Sequence, residues 1–171
     1  SNLNAGRMVR DVDFSLYEGE IVGFAGLMGA GRTETTRAIF GIDPKESGQF
    51  FLDGKEIMIR RPEDAIRAGI VLAPEDRKKD GLCTKLSIRH NIALPNLDLL
   101  CSRMGVVSRT KEDKMCNKVV ADLKVKTPNV DVNAGNLSGG NQQKVVVGKW
   151  LDRNSRVVIF DEPTRGIDVA A

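Results

Sequence analysis

Apolar positions along this chain follow three different periods, and each period predicts a different element. Val12, Phe14 and Leu16 alternate with Asp11, Asp13 and Ser15, a period of two that predicts a half-buried strand. Residues 21–25 (IVGFA) form a short, continuously apolar run, the pattern of a strand buried on both faces. The stretch TETTRAIF that ends at Gly41 predicts a helix with a glycine stop. Asp53-Gly54 sits between two apolar stretches, 49–52 and 55–59, and predicts a hairpin. Residues 62–68 predict a short helix with Pro62 near its start, closed by Gly69. Residues 70–73 (IVLA) and 157–160 (VVIF) predict two further buried strands.

Between those last two strands the texture changes. Residues 74–81 (PEDRKKDG) form a charged loop, and from about residue 86 to 150 the pattern is helical. Met115, Val119, Val120 and Leu123 repeat at helical spacing and predict a core-facing stripe, with Thr110 and Asp113 as a capping box. A loop at 135–141 precedes a helix at 142–151. The predicted layout is an α/β core with a small antiparallel β part and an inserted helical region. Residues 1–75 and 153–171 form the core, and residues 76–152 form the helical subdomain.

Composition narrows the choice of class. The chain has 171 residues, 41% of them hydrophobic, enough for one globular domain. A net charge of +3 with Lys and Arg nearly matched by Asp and Glu offers no basic stripe for nucleic acid. Three widely spaced cysteines, Cys83, Cys101 and Cys116, with His90 as the single histidine, argue against a zinc cluster and for reduced thiols. No apolar run reaches the length of a membrane span.

Three motifs carry chemistry. GLMGAGRTE, residues 26–34, follows a predicted strand and opens a helix, as a phosphate-binding loop does. Its glycines, Gly26, Gly29 and Gly31, let the backbone bend so that the amides of the loop, Leu27, Met28 and Ala30 included, turn toward an anion, and Thr33 and Glu34 begin the helix. Arg32 stands where G-x-x-x-x-G-K-[ST] has lysine. Its guanidinium is cationic but planar and forked, so its charge sits differently against a terminal phosphate. VVIFDEP delivers Asp161 and Glu162 at a strand's C-terminal end, where ligands bind in open parallel sheets. Asp161 would hold Mg²⁺ together with Thr33, and Glu162 would orient or deprotonate an attacking water. In NLSGGNQQK, Leu137, Ser138, Gly139, Gly140 and Asn141 precede a helix and form a second anion cradle. A second cradle in one chain suggests that it faces a nucleotide held by a partner.

LSGG before a helix, then about twenty residues to a strand ending DEPT, resembles the ATP-binding-cassette ATPases. PEDRKKDGL, LSGGNQQKVVVGKWL and DEPTRGIDV together resemble the second ATPase domain of the tandem ATPases that drive ribose-, galactose- and xylose-type sugar importers. The resemblance covers nearly the whole chain. It implies a P-loop NTPase core, ATP and Mg²⁺ as ligands, and a signature motif that completes the site of a second ATPase domain. It implies membrane permease subunits and, indirectly, a sugar-binding protein as partners, with no nucleic acid. It also implies a bacterial protein peripheral to the cytoplasmic face of the membrane. Asp168 matches the family's D-loop, and Glu75 falls where the family has a glutamine that ligates Mg²⁺. Glutamate there adds negative charge beside a triphosphate.

Arg32 and Glu75 together imply a degenerate site of the chain's own, as that subfamily's second domain commonly has, with weak activity of its own. A fully working ATPase is the alternative, since Thr33, Asp161 and Glu162 are all present. A DNA-repair ATPase sharing LSGG and a purely regulatory nucleotide sensor are two others, the former disfavoured by the missing heptads and C-x-x-C pairs. The family's adenine-stacking aromatic and switch histidine have no counterpart between Ser1 and Ala171, Tyr17 and His90 being poorly placed. The expectation is a chain truncated at both ends, with a bare sheet edge or exposed apolar face that promotes association.

Overall fold

The computed structural model describes residues 1–153 and 155–164. Their contacts divide the chain into two compact units. The first comprises Ser1–Leu72 with Val157–Asp161, and the second comprises Ala73–Arg156 with the residues from Glu162 onward.

In the first unit, β1 (Leu3–Ala5) and β2 (Val9–Val12) pair antiparallel, with Leu3 opposite Val12 and Ala5 opposite Val9. β3 (Phe50–Leu52) and β4 (Lys55–Ile57) form the hairpin that Asp53-Gly54 predicts. Both turn residues have positive φ, 51° and 72°, which the right-handed twist of the flanking strands requires. Helix α1 (Arg32–Phe40) ends at a left-handed Gly41, and α2 (Pro62–Arg67) begins on Pro62. β5 (Ile70–Ala73) and β6 (Val157–Phe160) form a third sheet. Phe40, Ile59, Ala65, Ile70 and Leu72 make one core, against which Val157 and Ile159 pack. Leu3, Ala5, Val9 and Ala38 make a second.

Two predicted strands take a different form. The alternating run through Phe14 and Leu16 does not extend the sheet; β2 stops at Val12. Leu3 is the first residue of β1 and already faces Val12, so the ladder has no partner beyond it. Phe14 and Leu16 are exposed, and Phe14 meets Phe24 edge-on at 5.0 Å. Residues 21–25 form no strand either, and Ile21 is 98% exposed. A strand buried on both faces needs a ladder neighbour and cover on each side. Among the described residues β5 and β6 pair only with each other. Apolar surface is left open as a result: Leu27 and Met28 are exposed, and so are Val158 and Phe160 on one side of β6.

The second unit is helical. A five-residue π turn, Arg77–Gly81, leads to α3 (Ile88–Ala93), α4 (Leu97–Leu100), α5 (Arg109–Asp122) and α6 (Gly139–Gly148). Its core includes Ile88, Ile92, Leu100, Met115, Val119, Val145 and Val146, with Val120 and Leu123 packed alongside. The stripe at 115–123 is therefore core, as its spacing predicts. The predicted capping box is corrected. Ser108, not Thr110, is the N-cap of α5, and the Asp113 carboxylate is drawn to the Arg89 guanidinium instead of a backbone amide. α6 begins three residues before the predicted start, at Gly139.

Two features hold these helices together. Gly148 lets α5 and α6 approach closely, since a Cβ there would lie 2.3 Å from Val119 Cγ1. Arg89, 6% exposed, gathers three acids: Asp113, Asp131 at 2.7 Å and Glu112 at 3.7 Å. The hydrogen bonds that Arg89 donates to Asp131 and Asp113 raise its pKa above the ordinary value, against the opposing effect of burial. The Arg89 guanidinium lowers that of Asp131.

Gly148→Val will overpack the α5–α6 contact and lower stability by about 1–3 kcal/mol, measured by urea unfolding. Arg89→Ala leaves buried Glu112 with a weaker set of partners and will cost about 3 kcal/mol. The lowered Asp131 pKa contributes stability above its unfolded value, lost as pH falls through the folded one. The acid limb of an unfolding titration will therefore flatten in the Arg89→Ala variant.

Candidate functional site

The glycine loop is shaped by its approach to Met8. Gly31, the N-cap of α1, has φ 83°, and a Cβ there would lie 2.8 Å from the Met8 carbonyl oxygen. Glycine is the residue that fits both demands. Residues 26–30 are exposed, Ala30 N–H donates to Leu27 C=O at 3.0 Å, and Gly29 has φ 79°. Arg32 is the first residue of α1 and half-buried. The helix's own bonds begin with Thr35 N–H to Gly31 C=O at 2.9 Å, so the turn before them is the end a helix offers to anions. Glu34 lies in that turn, where its charge favours the helix start. Thr35, which no motif flagged, is buried and donates its hydroxyl to Gly31 C=O at 2.7 Å, bracing the loop's last residue.

Thr33 and Asp161 come together in the same unit. The Thr33 hydroxyl donates to Asp161 Oδ1 at 3.2 Å, and the Thr36 hydroxyl reaches Asp161 Oδ2 at 3.5 Å and Thr33 C=O at 2.9 Å. Asp161 is 6% exposed, so a carboxylate that burial disfavours has two hydroxyl donors. Hydroxyl and carboxylate oxygens are hard donors that suit Mg²⁺, which keeps several waters and takes one or two protein ligands. No cluster of three His, Cys, Asp or Glu side chains occurs among the described residues. A cation here would therefore depend on these two oxygens together with phosphate and water.

The remaining motif residues belong to the second unit. Glu162 is exposed and has φ 48°, an uncommon backbone region for a non-glycine residue and one that recurs at functional sites. Glu75 is half-buried just after β5. Asp168 lies outside the described residues.

The signature segment has more structure than its letters suggest. Ser138 is the N-cap of α6, with Gly139 and Gly140 in the first turn and Leu137 packed against the helical core. Asn141 Nδ2 donates to Ser138 Oγ at 2.9 Å, while Asn141 Oδ1 accepts from Lys126 N–H at 2.8 Å. That pair holds the serine oxygen by an acceptor contact and leaves its hydroxyl proton to point elsewhere. Gln142 is 2% exposed and donates to Ala134 C=O at 3.2 Å while accepting from Arg77 Nε at 3.4 Å. It ties the signature turn to the charged loop. Its letter alone resembles any polar helix residue, so only its burial reveals it.

The described residues include no helix long and apolar enough to cross a membrane. The chain is 51% identical over 170 residues to the ribose import ATP-binding protein RbsA of Chelativorans sp. (strain BNC1), covering 99% of this chain and 33% of that one. It is 51% identical over 162 residues to the protein of the same name from Lacticaseibacillus paracasei (strain ATCC 334), covering 95% of this chain. The chain thus spans about a third of the length of the curated relatives it matches. Its fold is similar to that of a dimeric ATP-binding cassette solved in a post-hydrolysis state with ADP and Pi, with a TM-score of 0.78 at 20% identity over 98% of this chain and 74% of that one. The ABC transporter family model matches residues 9–165, and the chain, with its glycine loop, its LSGG turn and its paired Thr33 and Asp161, belongs to that family.

Proposed function

We propose that this chain is the ATP-binding and ATP-hydrolysing domain of a monosaccharide importer, working as half of a composite pair. The contact between Thr33 and Asp161 carries the nucleotide side of this reading, because it joins a hydroxyl and a carboxylate beside a helix start, 128 residues apart in sequence. High identity to ribose import ATP-binding proteins supports the transport side.

In this reading the loop 26–31 and the first turn of α1 bind the phosphates, and Arg32 supplies a cation to their outer oxygens. Thr33 and Asp161 would hold Mg²⁺. Bound there, the ion would supply positive charge against the charge that develops during transfer. By the family resemblance, Glu162 would orient or deprotonate the attacking water, and Glu75 would stand in for the glutamine that ligates Mg²⁺. Two departures weaken the chain's own site: a forked guanidinium replaces a point charge at Arg32, and a carboxylate replaces an amide at Glu75. The signature segment 137–141 then matters for a second ATPase domain, toward whose nucleotide Ser138 and the amides of α6 are directed. Asp168 of the D-loop contributes to the same pairing. The partners are that second domain and the permease subunits, at the cytoplasmic face of a bacterial membrane, with a sugar-binding protein acting through the permease.

The hydroxyl–carboxylate contact also favours a second reading. With the metal-ligating oxygens together, Arg32 substitutes well enough for lysine and this domain turns over ATP at a normal rate. Single-turnover hydrolysis in the full-length protein, with the other domain's site disabled, separates the two readings. A rate within about threefold of the other domain's selects the second.

Two outcomes are expected in the full-length protein. Gly139→Asp with Ser138→Arg will lower transport-coupled ATP turnover by about 100-fold, by removing donors to the partner's nucleotide. Arg32→Ala will lower it by less than about threefold if the chain's own site is degenerate. Equal effects of the two would overturn the asymmetric reading. Asp161→Asn will raise the Mg²⁺ concentration needed for half-maximal nucleotide binding by about 10–100-fold, read by calorimetry across a magnesium series.

A further inference from the structure

Lys149, just past the end of α6, is a half-buried lysine. Its Nζ donates to Gly81 C=O at 2.7 Å and lies 5.1 Å from the centre of the Trp150 ring. Its own carbonyl accepts from Asn96 Nδ2 at 2.7 Å, and the same nitrogen donates to Ile92 C=O at 2.7 Å, which fixes the end of α6 to α3. The backbone at Lys149 is thus anchored, and its side chain reaches across to the π turn.

That turn is held at both ends by α6. Arg77 Nε donates to Gln142 near the start of the helix, and Lys149 holds Gly81 near its end. Gly81 is buried, and a Cβ there would lie 3.0 Å from Val146 Cγ2. Asp76 closes the turn by accepting from the Lys78 and Lys79 amides at 3.0 Å, and its carbonyl accepts from Asp80 N–H at 2.9 Å.

Among the described residues the ammonium has a carbonyl and a ring for company but no carboxylate. The titratable group facing it is the Cys83 thiol. Other charges on the packed elements are engaged elsewhere: Arg89 with Asp131, Lys118 with Asp152 and Arg153 with Asp98. His90 Nδ1 bonds the Ser87 hydroxyl, and Lys78, Lys79 and Asp80 are exposed. A covered cation without a counter-charge is costly, and seating the turn is what covers it.

We infer that Lys149 is a proton-linked catch between the turn at Arg77–Gly81 and the helix carrying the signature segment: its ammonium opposes seating of the turn, and its neutral amine, still able to donate to Gly81 C=O, does not. Burial pushes the Lys149 ammonium down to about 8 from its ordinary 10.5. The seated turn therefore binds the proton less well than the released turn. Below pH 8 both states are protonated and seating carries its full penalty. Between pH 8 and 10.5 the seated state sheds the proton first, so seating strengthens as pH rises. The catch gives the charged loop at 74–81 a way to move independently of Ser138–Gly140. Its bearing on transport rests on the proposed function; the proton linkage itself does not.

The test is hydrogen exchange at the Asp80 amide in the full-length protein, corrected for the intrinsic rate. Protection is expected to rise about tenfold between pH 7 and pH 9 in the native sequence. Lys149→Met, which has no proton to lose, will give protection that is independent of pH. Lys149→Arg keeps its charge throughout and will give protection that is low and flat. A flat native profile, or the same tenfold rise in Lys149→Met, overturns the catch. A turn that titrates while permease-stimulated ATP turnover stays flat over the same range would leave the catch standing and overturn its link to transport.

Discussion

The first unit depends on keeping a buried carboxylate satisfied. Asp161 ends β6 at 6% exposure, and hydroxyls from Thr33 and Thr36, on the first turns of α1, satisfy its two oxygens. An unpaired carboxylate at that depth would cost several kcal/mol, so the strand end and the helix start hold each other. The same strand also packs by Val157 and Ile159 against the core of Phe40, Ile59, Ala65, Ile70 and Leu72, far from it in sequence. It also prepares a pair of hard oxygens beside a glycine loop. Folding and the proposed metal site therefore make the same demand on these residues.

In the second unit the governing contacts are polar pins on an apolar helix bundle. Arg89 gathers Asp113 and Asp131, Asn96 fastens α3 to the end of α6, and Gln142 and Lys149 bind the charged turn to α6. Such groups are costly inside a core unless each is matched, and when matched they specify one arrangement of otherwise interchangeable aliphatic surfaces. The signature helix is therefore fixed relative to the loop before it by side chains, not by general packing alone. Asn96 Oδ1 has no hydrogen-bond partner among the described residues.

Local chemistry made much of this legible. The Asp53-Gly54 hairpin, the glycine stop at Gly41, the start of α2 on Pro62 and the stripe at Met115 and Val119 follow from backbone preference or from period, each encoded within a few residues. The motif letters of the glycine loop and of LSGG likewise sit on helix starts. What was not legible depended on partners. Residues 21–25 have the composition of a doubly buried strand, yet Ile21 is almost fully exposed, because a strand exists only where a neighbour offers a ladder. Asp113 has the spacing of a capping residue, but a guanidinium twenty-four residues upstream outcompetes a backbone amide.

By itself, then, the sequence determined the main helices and turns, the motifs and the family to which they point, because turn chemistry, periodicity and glycine placement act over short distances. The tertiary structure alone decided which apolar runs became strands and which carboxylates found cations or hydroxyls. It also decided which lysine lost its water. Those outcomes depend on the burial and distance of groups that are far apart in the chain. Thr33 with Asp161, and Lys149 with Gly81, are contacts that no local pattern of letters contains.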